Sequence, residues 1–149
     1  MIMGAKDVYI VSACLVGLKT RYDGSHAKSE SLIGKIEKEC FLPICPEQLG
    51  GLSTPRVPAV IEGGDGLQVL EGQAKVINGK GIDVSKQFLK GAYQVLKMAK
   101  AFEVTVCYLK DGSPSCGVHF TSGNQGRIPG CGVMAALLKQ EGFKIVAVE

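Results

Sequence analysis

The sequence has no pair of cysteines in C-x-x-C spacing, although its 149 residues include six cysteines. This absence weakens both a thioredoxin-like redox function and a zinc-ribbon fold, because each uses that spacing. In a reducing compartment, cysteines that lie far apart along the chain are better interpreted as free thiols or metal ligands than as disulfides. The cysteines are therefore the first candidates for a functional site.

The N-terminal segment lacks the features of an export signal. No basic region precedes the apolar stretch within residues 1–17, and Asp7 interrupts that stretch. We therefore expect neither a signal peptide nor a transmembrane helix, and we predict a cytoplasmic protein with no membrane partner.

The chain also lacks a cluster of positive charge. Its formal net charge is only +3, and its lysines are scattered along the sequence. Proteins that bind nucleic acids present a basic patch or stripe, so we expect no stable nucleic-acid complex. Direct action on tRNA would need a basic face that the sequence does not reveal.

No internal repeat, low-complexity tract or long linker divides the chain, which predicts a single domain over residues 1–149. Apolar runs alternate with segments of helical period, and this pattern predicts an α/β fold. The expected architecture is Rossmann-like: a mostly parallel sheet with helices on both faces. Strands are predicted at 8–13, 41–45, 104–109 and 144–148, and helices at 29–39, 83–102 and 132–142.

Two further segments are assigned from turn residues. Residues 46–66 contain many glycines and prolines and are predicted as an ordered loop. Residues 67–78 are predicted as a small β-hairpin with its bend near Glu71. Asp83 is the expected N-cap of the helix at 83–102.

The segment "GCGVMA" (130–135) satisfies G-x-G-x-x-A, the dinucleotide fingerprint. It follows a polar loop rather than a strand, and no acidic residue lies about 20 positions further on to hold a ribose. We interpret Gly130 and Gly132 instead as letting a helix N-terminus approach the site closely, where its N–H groups could face an anion or the sulfur of a metal cluster.

Three cysteines fall at the carboxyl ends of predicted parallel strands. Cys14 follows the first strand, Cys45 closes the second, and Cys116 lies in the loop after the third. Open α/β sheets build their sites at this edge. Three convergent thiolates suit zinc or an iron–sulfur cluster and leave a coordination position open.

The other three cysteines have different surroundings. Cys40 and Cys107 are interpreted as buried thiols that pack as small hydrophobic residues. Cys131 is an intermediate case, because it opens a predicted helix whose dipole would favour a thiolate.

Five segments together resemble the DUF523 family, which includes thiouracil desulfurases. They are VSACLVGLKTRYDG (11–24), CPEQLGGLSTPRVP (45–58), GIDVSKQFLKGA (81–92), LKDGSPSCG (109–117) and GCGVMAALL (130–138). The resemblance implies a [4Fe–4S] cluster held through three of its irons by Cys14, Cys45 and Cys116, with the fourth iron free for the sulfur of a substrate. Two departures bear on substrate choice: Val60 stands where many members carry an acidic residue, and residues 118–130 differ from the usual family sequence.

Polar residues near these cysteines are candidates for catalysis and substrate binding. Glu47 follows Cys45 by two residues, and a buried carboxyl there could move a proton; the resemblance favours this role over loop bracing. Ser113 is the candidate nucleophile or hydrogen-bond donor, with Ser115 as the competing choice and as a substrate-binding residue. Arg56, between two prolines, could bind a carbonyl or phosphate or form a structural ion pair.

The resemblance therefore implies an iron–sulfur-dependent desulfurase. Such an enzyme removes sulfur from a thiolated nucleobase or nucleoside, a small-molecule partner, and replaces C=S with C=O. The alternative is a non-catalytic module that holds zinc or an iron–sulfur cluster, or that carries sulfide.

Overall fold

The computed structural model describes residues 7–149. The strands are Val8–Ser12 (β1), Cys40–Ile44 (β2), Ala59–Glu62 (β3), Lys75–Asn78 (β4), Val106–Lys110 (β5), Phe120–Gly123 (β6), Gly126–Pro129 (β7) and Lys144–Val148 (β8). The helices are Glu30–Ile36 (α1), Pro46–Leu49 (α2), Gly66–Leu70 (α3), Ser85–Ala101 (α4) and Val133–Gln140 (α5), with a 3-10 helix at Ala13–Val16.

A four-stranded sheet in the order β2-β1-β5-β8 forms the centre of the molecule. Every neighbouring pair of strands is parallel. The predicted α/β class and parallel sheet are therefore confirmed, and all four predicted strands occur within two residues of their expected bounds. Continuous apolar runs identify them because both faces of such a sheet are buried.

Helices cover both faces of the sheet, as predicted. Ile10 and Val11 are both fully buried and belong to separate apolar clusters, since successive side chains of β1 point to opposite faces. Helices α4 and α5 contribute to the cluster around Ile10, and α1 contributes to the cluster around Val11. No helix within residues 7–149 has the length and apolar character to cross a membrane.

Helix α4 buries the apolar face that its period predicts. That face consists of Phe88, Ala92, Val95, Leu96 and Ala99, all of them buried. The helix begins two residues after the predicted N-cap, but the side chain of Asp83 still accepts a hydrogen bond from the N–H of Ser85. The turn signal at Asp83 was thus correctly placed, although the capping position itself belongs to Val84.

The predicted hairpin at 67–78 is wrong in its first half. Residues 66–70 form α3, which begins with a capping box between Asp65 and Gln68. Strand β4 pairs instead with β3, which lies inside the segment predicted as a loop. The small hairpin therefore exists, but it joins 59–62 to 75–78. A short alternating run fits a strand and one helical turn equally well, and the capping box decides for the helix.

A second antiparallel hairpin, β6 with β7, occupies the segment expected to be a polar loop. The turn between these strands ends at Gly126, whose φ of 104° is in the left-handed region that favours glycine. This hairpin leads into α5 and places Arg127 at the carboxyl edge of the sheet, where it lines the cavity described below.

Candidate active site

Three cysteines line one cavity of about 330 Å³ at the carboxyl edge of the sheet. Cys14 lies in the 3-10 helix that follows β1, Cys45 comes directly after β2, and Cys116 lies in the loop after β5. The three strands are neighbours, so residues 102 positions apart in sequence reach the same cavity. The structure therefore brings the three predicted ligand residues together.

Burial raises the pKa of all three thiols. Cys14 and Cys45 raise the pKa of Cys116 further, because two negative charges so close to a third are unfavourable. Three thiolates in this cavity need a cationic partner to offset desolvation and repulsion, and metal binding supplies such a partner while releasing protons. Three sulfur donors are the set that soft metals and iron–sulfur clusters prefer.

The three cysteines come from three different segments that line the cavity. Within residues 7–149, no group of three His, Cys, Asp or Glu side chains is close enough to hold a single metal ion.

The remaining cysteines do not line this cavity. Cys107 is fully buried in β5, as predicted, and burial raises its pKa to about 12. The prediction for Cys40 is wrong, because it begins the edge strand β2 with its side chain exposed. Cys131 precedes α5, its sulfur donates to the carbonyl of Val118 at 3.3 Å, and burial raises its pKa rather than favouring a thiolate.

Glu47 lies in the first turn of α2 and contacts both Arg56 and Ser115. Its Oε1 accepts a hydrogen bond from Arg56 Nε at 3.2 Å, and its Oε2 accepts one from Ser115 Oγ at 3.0 Å. The ion pair is mostly buried, with 7% of the Arg56 side chain and 15% of the Glu47 side chain exposed. Glu47 also lines the cavity, so its carboxylate is hydrogen-bonded to Arg56 and Ser115 at the cavity wall.

The packing of α2 against α4 positions Glu47. A Cβ at Gly91 would lie 1.8 Å from the carbonyl oxygen of Pro46, and a Cβ at Gly50 would lie 2.0 Å from that of Gln87. Only glycines allow the two helices to approach this closely. Gly50, directly after α2, and Gly91 in α4 thus let α2 lie close to α4, and this packing positions Glu47 at the cavity.

Arg56 uses all of its side-chain donors within the protein. Besides Glu47, the guanidinium contacts the carbonyls of Thr20 and Ser53, the hydroxyl of Thr54 and, at 3.8 Å, the sulfur of Cys45. A guanidinium has five N–H groups, and these contacts use five. Arg56 lines the cavity as predicted, but it has no donor left for a substrate and instead braces Glu47 beside Cys45.

Ser113 and Ser115 form a short chain of hydroxyls that ends at Glu47. Ser113 Oγ accepts hydrogen bonds from the backbone N–H groups of Ser115 and Cys116, and lies 3.1 Å from Ser115 Oγ. Ser113 lines the cavity, whereas Ser115 is 1% exposed and lies behind the wall. Ser113 therefore faces the cavity, and Ser115 links Ser113 to Glu47.

Asp111 organises the loop that carries Ser113 and Cys116. One oxygen of this buried carboxylate accepts N–H groups from Gly112, Val118, His119 and Phe120. Burial acts to raise the pKa of Asp111, but these four hydrogen bonds outweigh it and the pKa is lowered. Asp111 went unpredicted, although its place at the end of β5 was a usable signal.

The start of α5 holds the same loop from the other side. A Cβ at Gly132 would lie 2.5 Å from the backbone of Ser115, which confirms the close approach expected of this glycine. The first N–H groups of α5 donate to the carbonyls of Pro114 and Ser115. These donors are used within the protein, so the expectation that they face an anion or a cluster sulfur is wrong.

Besides Arg56, three cationic side chains line the cavity: Arg21, Lys110 and Arg127. Arg21 and Lys110 both lower the pKa of Cys14 and so favour its thiolate. Arg127 lies on the hairpin β6–β7, in a segment whose polar sequence is typical of a loop, and for that reason its place in the site was not predicted.

Comparison with known proteins agrees with this geometry. Residues 9–149 match the family model described as 2-thiouracil desulfurase. The chain is 44% identical over 143 residues to the uncharacterized protein YbbK of Bacillus subtilis, covering 93% of each chain. It also resembles the solved structure of the [4Fe–4S]-dependent thiouracil desulfidase TudS, with a TM-score of 0.80, 35% identity, and coverage of 95% of this chain and 91% of that one.

Proposed function

The chain belongs to the 2-thiouracil desulfurase family (DUF523), and on that basis we propose that it removes sulfur from a thiolated nucleobase or nucleoside. The reaction replaces C=S with C=O, consumes water and releases sulfide, with no net change of redox state. The observation that carries the proposal is the convergence of three thiols and a buried carboxylate on one cavity.

The residues fit a [4Fe–4S] cluster as the cofactor. Cys14, Cys45 and Cys116 supply three sulfur donors around one cavity, and Arg21 and Lys110 add positive charge beside Cys14. Cysteine thiolates are the usual ligands of such clusters. When bound by three cysteines, the cluster supplies an open iron that acts as a Lewis acid toward the thiocarbonyl sulfur.

Glu47 is the proposed proton acceptor. The hydroxyl of Ser113 can donate to Ser115 Oγ, and Ser115 donates to Glu47 Oε2, so a proton can pass from the cavity wall to the carboxylate. The same path serves whether the attacking oxygen belongs to water or to Ser113. Two backbone N–H groups on Ser113 Oγ stabilise negative charge that develops on that oxygen.

Arg56 and Ser115 have positioning roles in this proposal. Arg56 was predicted to bind substrate, but its saturated donors instead fix the carboxylate of Glu47. Ser115 was also predicted to contact substrate, and we assign it to the path between Ser113 and Glu47, because it lies behind the cavity wall. Among the residues proposed for catalysis, direct contact with substrate then falls to Ser113.

The proposed location is the cytoplasm and the proposed partner is a small molecule. All six cysteines are free thiols in the structure, which suits a reducing compartment. A cavity of about 330 Å³ is at the lower end of the usual range for small-molecule sites.

The cofactor is tested by anaerobic reconstitution with iron and sulfide. We expect about four irons and four sulfides per chain in the wild type, and loss of most of both in Cys14→Ala, Cys45→Ala and Cys116→Ala. Cys40→Ala and Cys107→Ala are matched controls that keep the full content, since neither lines the cavity. One equivalent of zinc without iron in protein purified anaerobically would contradict the proposal and favour a non-catalytic module.

A further inference from the structure

Four residues surround the guanidinium of Arg127 at the cavity, and we call them the Arg127 seat: Asp111, Gly112, Phe120 and Glu149. Its guanidinium carbon lies 5.0 Å from the centre of the Phe120 ring, and Nη2 donates to Glu149 Oε1 at 3.0 Å. The same nitrogen lies 3.8 Å from the buried carboxylate of Asp111. A Cβ on Gly112 would lie 3.0 Å from Arg127 Nε. The guanidinium therefore packs directly against the backbone of Gly112, where a side chain would crowd it.

Two nitrogens of this guanidinium remain available. Nε and Nη1 of Arg127 have no hydrogen-bond partner within residues 7–149. Arg127 also differs from the other cations of the cavity. Arg56 has used all its donors, and Arg21 and Lys110 lie close enough to Cys14 to lower the pKa of its thiol, whereas the contacts of Arg127 are with Phe120, Glu149 and Asp111.

Resting on the proposed function, we propose that Arg127 is a substrate-binding residue that donates to a ring carbonyl oxygen of the thiolated pyrimidine, away from the thiocarbonyl. A guanidinium has only donors, so it selects an acceptor atom. A uracil-type ring offers such an acceptor in its remaining carbonyl. The contacts with Phe120, Glu149 and Asp111 restrict the guanidinium before a substrate arrives, which reduces the side-chain freedom lost on binding, while 46% of the Arg127 side chain remains exposed.

The test compares two substrates, 2-thiouracil and 2-thiopyrimidine, which differ in the ring carbonyl. For each protein, kcat/KM for 2-thiouracil is divided by kcat/KM for 2-thiopyrimidine. The intrinsic difference in reactivity between the two substrates is the same for every protein, so it cancels when the ratio of the variant is compared with that of the wild type. We expect Arg127→Gln to lower kcat/KM for 2-thiouracil about ten- to hundredfold and to leave 2-thiopyrimidine within about threefold, the effect of one charge-assisted hydrogen bond.

A second readout does not depend on turnover. Calorimetry on the cluster-loaded protein should show uracil binding weakened by about the same factor in Arg127→Gln. Lys28→Gln is the matched control, since it removes an exposed cation that does not line the cavity; its substrate ratio should equal that of the wild type.

Three outcomes would overturn this inference while the proposed function stands. They are equal losses for both substrates in Arg127→Gln, unchanged values for both, and a Lys28→Gln variant that reproduces the loss. A wild type that turns over neither substrate would instead contradict the proposed function itself.

Discussion

At the scale of single residues, Arg56 shows how burial decides a role. An arginine between two prolines is equally compatible with binding a substrate and with forming a structural ion pair. The structure shows every donor engaged within the protein, with Glu47 as the charged partner. The residue therefore acts on substrate only through the carboxylate it holds.

Arg56→Met should strongly lower both stability and kcat. Removing one partner of a buried ion pair leaves an uncompensated charge, which costs about 3–5 kcal/mol in the free energy of unfolding. The matched control is Lys100→Met, which breaks an ion pair with Glu141 that is largely exposed and should cost about 0–1 kcal/mol. Urea unfolding and steady-state kinetics provide the measurements. A variant of normal stability and kcat whose only defect is a raised KM would show that Arg56 contacts the substrate after all.

At the scale of elements, the site depends on short segments fixed by close backbone contacts. Helix α2 approaches α4 through Gly50 and Gly91, and the loop after β5 is closed by Asp111 on one side and by the start of α5 on the other. These contacts place Glu47 and Cys116 at the cavity.

Gly91→Ala should separate α2 from α4. The added methyl would lie 1.8 Å from the Pro46 carbonyl, and overpacking of this kind costs about 1–3 kcal/mol. Turnover should fall as well, because Glu47 moves with α2. Gly34→Ala in α1 is the control: nothing lies within 4 Å of its added methyl, so the substitution should stabilise the helix by about 0.5–1 kcal/mol. Equal stability of the two variants in thermal unfolding would contradict this packing.

Asp111 makes the stability of its loop dependent on pH. The pKa of its carboxyl is lowered in the folded protein, so its contribution is complete above the unfolded value of about 3.9 and is lost as the pH falls through the folded value. Asp111→Asn should lower the free energy of unfolding by about 1–3 kcal/mol at pH 7. The difference from wild type should shrink below about pH 4, and urea unfolding across this range measures it. A difference that stays constant with pH would rule out this role for the carboxylate.

At the scale of the whole molecule, the parallel sheet was predictable and the contacts between segments were not. Apolar runs predicted β1, β2, β5 and β8, and their carboxyl ends placed the three cysteines on one edge. Helix α3 was missed because one capping box outweighed a short alternating run. The roles of Arg56 and Ser115 depend on partners many residues away, so only side-chain distances could distinguish them.

Arg127 was missed for a related reason. It lies on a hairpin whose polar sequence is typical of a loop, and its seat combines Gly112, Phe120 and Glu149 from three separate segments. No local pattern in the sequence records that combination.

The most direct test of the central claim is turnover of 2-thiouracil by the anaerobically reconstituted protein in water enriched in oxygen-18. We predict uracil and sulfide in equal amounts, with one labelled oxygen in the uracil, and no turnover by the cluster-free protein. Equal turnover with and without the cluster, or sulfide released without uracil, would contradict the account.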